Sequence, residues 1–169
     1  PIFAPQYGIY SHRIGNAWLA GGASNTGGRV LAQFFTSQQL KDLSAGIDPD
    51  NPTGLDYYPL PGKGERFPIA DPDMPARLEP RPADDAVFLQ ALLEGIAGIE
   101  RLGYARLAEL GAPKLATVRT VGGGAANPAW TAIRRNALGV PFLDAVSTEA
   151  AAGTARLALK GAIASGAME

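Results

Sequence analysis

Between residues 47 and 82 the chain carries nine of its 14 prolines. Proline has no backbone N–H and a fixed φ, so this stretch can be neither a long helix nor the centre of a sheet. It has Tyr57, Tyr58, Leu60, Phe67 and Ile69 to bury, which predicts an ordered excursion with one short β-like island at 55–60, not a flexible linker. A structureless loop of that length is uncommon inside a compact domain. The flanking segments must therefore hold it in place.

Those segments have regular periods. Tyr7 to Arg13 alternates, Gly15-Asn16 supplies a turn and Ala17 to Ala20 returns, the pattern of a β-hairpin. A helix follows with Val30, Leu31, Phe34 and Phe35 on one face and Ser24 or Asn25 as its N-cap, and a second helix spans about 37–45 after Thr36 and stops at Gly46. Beyond the excursion, apolar residues at Val87, Phe88, Leu92, Ile96, Ile99 and Leu102 predict a helix over 83–110. Gly95, Gly98 and Gly103 point to close packing against another backbone or a break near Gly103. A strand is predicted at 114–121, a glycine turn at 122–127, a helix at 128–138 opened by Pro128 and closed by Gly139, and a short strand at 140–143. Thr148 is the expected cap of an Ala-rich last helix that ends near Ala164. Strand, helix, strand, helix in the last third implies parallel pairing through a right-handed crossover, hence an α/β class.

Composition narrows the chemistry. There is no cysteine and one histidine, His12, so disulfides, thiolate sites and multi-histidine metal sites are excluded. Lys+Arg 15 against Asp+Glu 16 leaves a net charge of −1, with no basic footprint for nucleic acid. No apolar run reaches the ~18 residues of a membrane span, and no signal-peptide pattern is present; a cytoplasmic location is the expectation. With 169 residues the chain has the length of one domain. Pro1 stands without an initiator Met, which fits either Met removal or a missing upstream half.

Two glycine-rich turns lead from strand to helix. At Gly122-Gly-Gly-Ala-Ala-Asn127 the backbone can approach a ligand closely, and the following helix start offers unpaired N–H groups to an anion or nucleotide. The same place partly imitates a dinucleotide fingerprint, Gly122-x-Gly124-x-x-Asn127, with Asp144 placed as a ribose-binding acid. Gly21-Gly-Ala-Ser-Asn-Thr-Gly-Gly28 is either a capped helix start or a second wall of the same site; it lacks the residues of a P-loop or a nucleophile elbow. In the excursion, Lys63, Glu65 and Arg66 stand on a glycine-flanked loop, where opposite charges most often pair with each other and with carbonyls. Asp71 and Asp73 read as turn formers, Glu149 as a helix-start carboxylate, His12 as a polar strand residue, and Trp18 and Trp130 as core or cleft walls.

Gly122 to Trp130, Gly64-Glu-Arg66 and Leu93-Glu-Gly-Ile96 together resemble the FGGY carbohydrate kinases. The run from Tyr57 to Pro72, with His12, Trp18 and Gly21 to Gly28, is similar to their pentulose kinases, which act on D-ribulose or D-xylulose. The resemblance covers about residues 1–161. It implies an actin-like (ribonuclease H-like) ATPase lobe with a mixed sheet flanked by helices, the C-terminal half of a two-lobe sugar kinase. It further implies that ATP lies along Gly123, Gly124, Ala125 and Asn127, with Gly21 and Gly22 approaching from the other side. Magnesium would be held mainly through the phosphates and the other lobe, which would also bring the sugar contacts, the phosphate loop, a Gly-Thr-Thr turn and the catalytic aspartate. No catalytic residue is assigned within this chain. The resemblance favours a missing upstream half at Pro1 and disfavours the dinucleotide alternative.

Overall fold

The structure, a computed structural model, describes residues 1–165. The hairpin forms as β1 (Tyr10–Ile14) and β2 (Ala17–Gly21), antiparallel with His12 opposite Leu19. Its start is later than the alternation suggests, because Pro5–Tyr7 make a 3₁₀ turn that ends in left-handed Gly8. Both faces of the hairpin meet solvent, and Trp18, expected as a core or cleft wall, is 51 % exposed.

The helix after the first glycine turn is short. It is α1 (Gly28–Leu31), with Gly27 at the N-cap and no side-chain cap, so neither Ser24 nor Asn25 caps it. Their polar groups turn instead to the excursion, where Glu65 offers a charged acceptor that holds a donor more strongly than a neutral one. Val30 and Phe35 are buried as the period requires, whereas Phe34 is partly exposed beside them. The next helix, α2 (Ser37–Ser44), starts at Thr36 in a full capping box, with Thr36 and Gln39 satisfying each other's backbone N–H groups.

The long helix α3 (Asp85–Glu109) carries the core. Asp84 caps it by accepting from the amides of Ala86 and Val87. It runs without a break through all three glycines. Gly95 and Gly103 serve contact: a methyl on Gly95 would stand 2.8 Å from the Tyr57 carbonyl oxygen, and one on Gly103 2.5 Å from the Phe67 ring. The excursion thus lies against the helix where glycine leaves room. Phe88 forms the centre of an aromatic cluster with Phe34, Phe35 and Tyr57, and Leu89, Leu92, Leu93, Val30 and Ile133 complete the main core. A second cluster joins Tyr58 and Leu60 of the excursion to Ile99.

The last third departs from the expected mixed sheet. The segments 114–121 and 140–143 pair in parallel as predicted, but through one bridge, Val118 with Phe142. Pro141 has no N–H to extend the ladder, so the pair is held by Val118 N to Pro141 O at 3.0 Å and Leu143 N to Val118 O at 2.8 Å. Similarly, the island at 55–60 reduces to a bridge between Tyr58 and Arg77. Among the described residues the one ladder longer than a bridge is the hairpin. Helix α4 (Pro128–Leu138) has Asn127 as N-cap, Pro128 at its start and left-handed Gly139 at its end, as its residues dictate. Helix α5 (Ala150–Ala164) begins one residue later than expected, with Glu149 at the N-cap position. The Thr148 carbonyl accepts from Gly122 N at 2.8 Å, tying the approach to α5 to the glycine turn. Among the described residues no helix is long and apolar enough to cross a membrane.

Candidate functional site

The turn between Val118 and α4 is a 3₁₀ helix over Gly123–Ala126. Gly122 has φ +81°, a conformation that admits glycine readily and a β-carbon poorly. Ala125 N donates to Gly122 O and Asn127 N to Gly124 O, which leaves the amides of Gly123 and Gly124 without a partner among the described residues. Gly123 faces open space, whereas a β-carbon on Gly124 would meet the Trp130 indole nitrogen at 3.1 Å. Asn127 works in two directions. Its Oδ1 accepts from Trp130 N at 3.1 Å, and its Nδ2 donates to Ser44 Oγ at the end of α2, 2.9 Å away.

Behind the turn lies an ion pair between a buried arginine and a partly exposed glutamate. The Arg134 guanidinium of α4 makes two bonds to the Glu100 carboxylate of α3, at 2.6 and 2.7 Å, and donates to Thr120 Oγ1. Burial, then the nearby Glu100 charge, raises the Tyr104 phenol above its ordinary range, with Arg134 acting against them.

Gly21 and Gly22 stand elsewhere, on an open cleft of about 950 Å³ between the hairpin and the Lys63–Arg66 loop, which His12 also lines. Gly21 is free of neighbours. Gly22 is glycine for packing, since the Phe67 ring and the Gly8 carbonyl fill the space of a side chain. None of the residues 122–127 lines this cleft. This cleft is lined by the first glycine turn and not by the second.

Glu65 builds the floor of the cleft. It is 3 % exposed, and its carboxylate accepts from Ser24 Oγ at 2.6 Å, Asn25 N at 2.7 Å, Arg66 N at 2.8 Å and Tyr58 Oη at 3.2 Å. Such a set of donors is what permits a buried carboxylate. Burial first, then the Glu65 charge and hydrogen bond, push the Tyr58 phenol above its ordinary range. The other loop charges pair as expected: Lys63 with Asp73 at 2.6 Å, and Arg66 Nε with Asn25 Oδ1 at 2.7 Å. Asp71 and Asp73 form a turn through Asp71 Oδ1 and Asp73 N at 2.8 Å.

The Leu93–Ile96 segment has a physical reading too. Glu94 accepts from the Thr53 amide and hydroxyl, and Gln90, one turn earlier, donates to the carbonyls of Asp48 and Asn51. Gly95 then admits Tyr57 and Pro59. These residues dock the excursion on α3. Gln90, Arg134 and Thr120 were not singled out from the sequence; for Gln90 the signal available was a polar residue within the apolar run Phe88 to Leu93 of α3, and for Arg134 and Thr120 there was none.

Residues 3–162 match the FGGY family of carbohydrate kinases, C-terminal domain. An α/β chain with an open glycine turn ahead of a capped helix is thereby placed among actin-like ATPase lobes. The chain belongs to the FGGY family of carbohydrate kinases. The family uses ATP, generally with Mg²⁺, and a sugar substrate. Among the described residues no three His, Asp or Glu side chains stand together as metal ligands, so no protein cage for magnesium is assigned here.

Proposed function

We propose that this chain is the nucleotide-binding lobe of a pentulose kinase, which transfers the γ-phosphoryl group of ATP to D-ribulose or D-xylulose and forms the 5-phosphate. One observation supports the nucleotide reading above the rest: the paired free amides of Gly123 and Gly124 on an open turn. Backbone N–H groups of this kind suit a phosphate, and small residues let its oxygens come close. Gly123, Gly124, Ala125 and Asn127 form the proposed contact, with Gly21 and Gly22 on a separate wall. D-ribulose is preferred over D-xylulose on resemblance alone, and a cytoplasmic location accompanies the reading.

Phosphoryl transfer depends on positioning and on charge stabilisation around an in-line transfer. This chain offers the nucleotide half of that arrangement. No residue here is assigned as the base that takes the sugar hydroxyl proton, and polypeptide 1–169 alone is expected not to phosphorylate a sugar.

Calorimetric titration with ATP, ADP and NAD tests the binding, and a coupled assay with D-ribulose tests the inactivity. Weak ADP binding lost in Gly123→Val supports the proposal; ATP-dependent phosphorylation of D-ribulose by this polypeptide refutes the inactive half of it. The alternative is a freestanding nucleotide or dinucleotide-binding module without catalysis. Asp144 follows Phe142, which bridges Val118 in parallel, so it leaves the pair at the same end as the glycine turn. An NAD preference abolished by Asp144→Ala would favour that alternative.

A further inference from the structure

We propose that Arg134 is a positioning residue that sets the geometry of the glycine turn, through Thr120 on one side and Trp130 on the other. Arg134 is 7 % exposed. A buried ion pair is weak evidence of stability, because desolvation offsets much of the attraction, and its best-attested use is to fix one arrangement. The arrangement here is specific. Glu100 takes Nε and Nη2 in a fork, which sets the plane of the guanidinium, and Nη1 is left to donate to Thr120 Oγ1.

Two aromatic rings also lie close to the guanidinium. The guanidinium carbon lies 5.3 Å from the centre of the Trp130 ring and 4.9 Å from that of Phe142, within the range of a cation–π contact. Two routes then lead to the turn. Thr120 stands two residues before Gly122, whose left-handed φ begins the turn. Trp130, in contact with the guanidinium, is the side chain that a β-carbon on Gly124 would meet. Phe142 adds the parallel bridge to Val118. One side chain thus joins α3, the segment before the turn, α4 and the segment after it. A lysine has neither the fork nor the plane to do this.

The effect on ligand binding rests on reading this turn as the nucleotide contact; the positioning itself does not. The test uses Thr120→Val, which keeps the branched shape and the Arg134–Glu100 pair but removes the acceptor. Thr120→Ser restores the hydroxyl. Amide hydrogen exchange is followed without nucleotide at Gly122, Ala125 and Asn127, whose amides are bonded, and along α3. The loss of one charged hydrogen bond predicts roughly tenfold faster exchange at the turn in Thr120→Val. Thr120→Ser should stay within about twofold of wild type, since the same bond can form, with α3 unchanged in both. ADP affinity should fall in parallel in Thr120→Val and recover in Thr120→Ser.

Unchanged exchange at the turn, failure of serine to rescue, or equal acceleration throughout α3 overturns the proposal, the last because it marks a general loss of stability. Selective acceleration with serine rescue, in a wild-type protein that binds no ADP, supports the positioning and refutes the nucleotide reading.

Discussion

Removing the Glu65 carboxylate gives the sharpest test of how the excursion is held. In Glu65→Ala the hydroxyls of Ser24 and Tyr58 and the amides of Asn25 and Arg66 lose their acceptor, the carboxylate of a residue that is 3 % exposed. A buried donor left unsatisfied costs about 1–3 kcal/mol. The Ser24 and Tyr58 hydroxyls can rotate in search of another acceptor, and the Arg66 amide is only part-buried, so a loss of about 3–6 kcal/mol is expected from the four donors together. That is a large part of the ~5–15 kcal/mol by which a domain is stable. For a chain of this size it lowers Tm by about 6–24 °C. Glu65→Gln keeps one acceptor oxygen and should lose less, about 1–3 kcal/mol, the difference between charged and neutral bonds. Urea unfolding followed by circular dichroism measures both. An alanine variant within about 1 kcal/mol of wild type would refute the reasoning, because four buried or part-buried donors cannot all lose their acceptor so cheaply.

The glycines of α3 should give opposite signs on calorimetry. Gly98→Ala meets nothing within 4 Å and should stabilise by about 0.5–1 kcal/mol through helix propensity, while Gly95→Ala, pressed on Tyr57 and Pro59, should destabilise by about 1–3 kcal/mol before that gain is returned. Asn127→Ala removes the α4 cap and the link to Ser44 and should cost about 1–2 kcal/mol, read as a lower urea midpoint. The Tyr58 phenol has its pKa raised by folding, so the unfolded chain loses that proton first. The resulting stability is complete below about pH 10 and declines as pH rises from there toward the folded value, by at most about 1.4 kcal/mol per pH unit. Tyr58→Phe should flatten the slope of Tm against pH above 10, and an unchanged slope would remove Tyr58 as its source.

Helix α2 and helix α4 are legible from the sequence because their boundaries depend on residues within one turn. Thr36 and Gln39 close a capping box, and Asn127, Pro128 and Gly139 mark the two ends of α4. The family resemblance is legible for a different reason: several short motifs stand in order along one chain, and the family match over residues 3–162 agrees with it. The glycine turn at 122–127 was likewise marked, since a left-handed Gly122 ahead of a capped helix is a local pattern.

The misplaced cap at Ser24 or Asn25 shows where local reading ends. A polar residue before a helical pattern is a fair cap until a stronger acceptor is available, and Glu65 lies about forty residues away in sequence. The same distance separates Thr53 from Glu94. Arg134 and Glu100 are on different helices, and nothing in either segment announces the other. The parallel pair at Val118 and Phe142 was expected; its shortness on one side follows from Pro141, which has no N–H to extend the ladder. By itself, then, the sequence determined the ends of α2 and α4, the hairpin and the open glycine turn, because hydrogen bonds over three or four residues and the backbone limits of glycine and proline decide them. Tertiary structure alone decided that the excursion is clasped through Glu65 and Glu94, that the first glycine turn lines a cleft beside Glu65, and that Arg134 stands behind the second. Those outcomes depend on which polar groups meet after the core has closed, and buried donors and acceptors must then be satisfied by whatever the packing brings within reach.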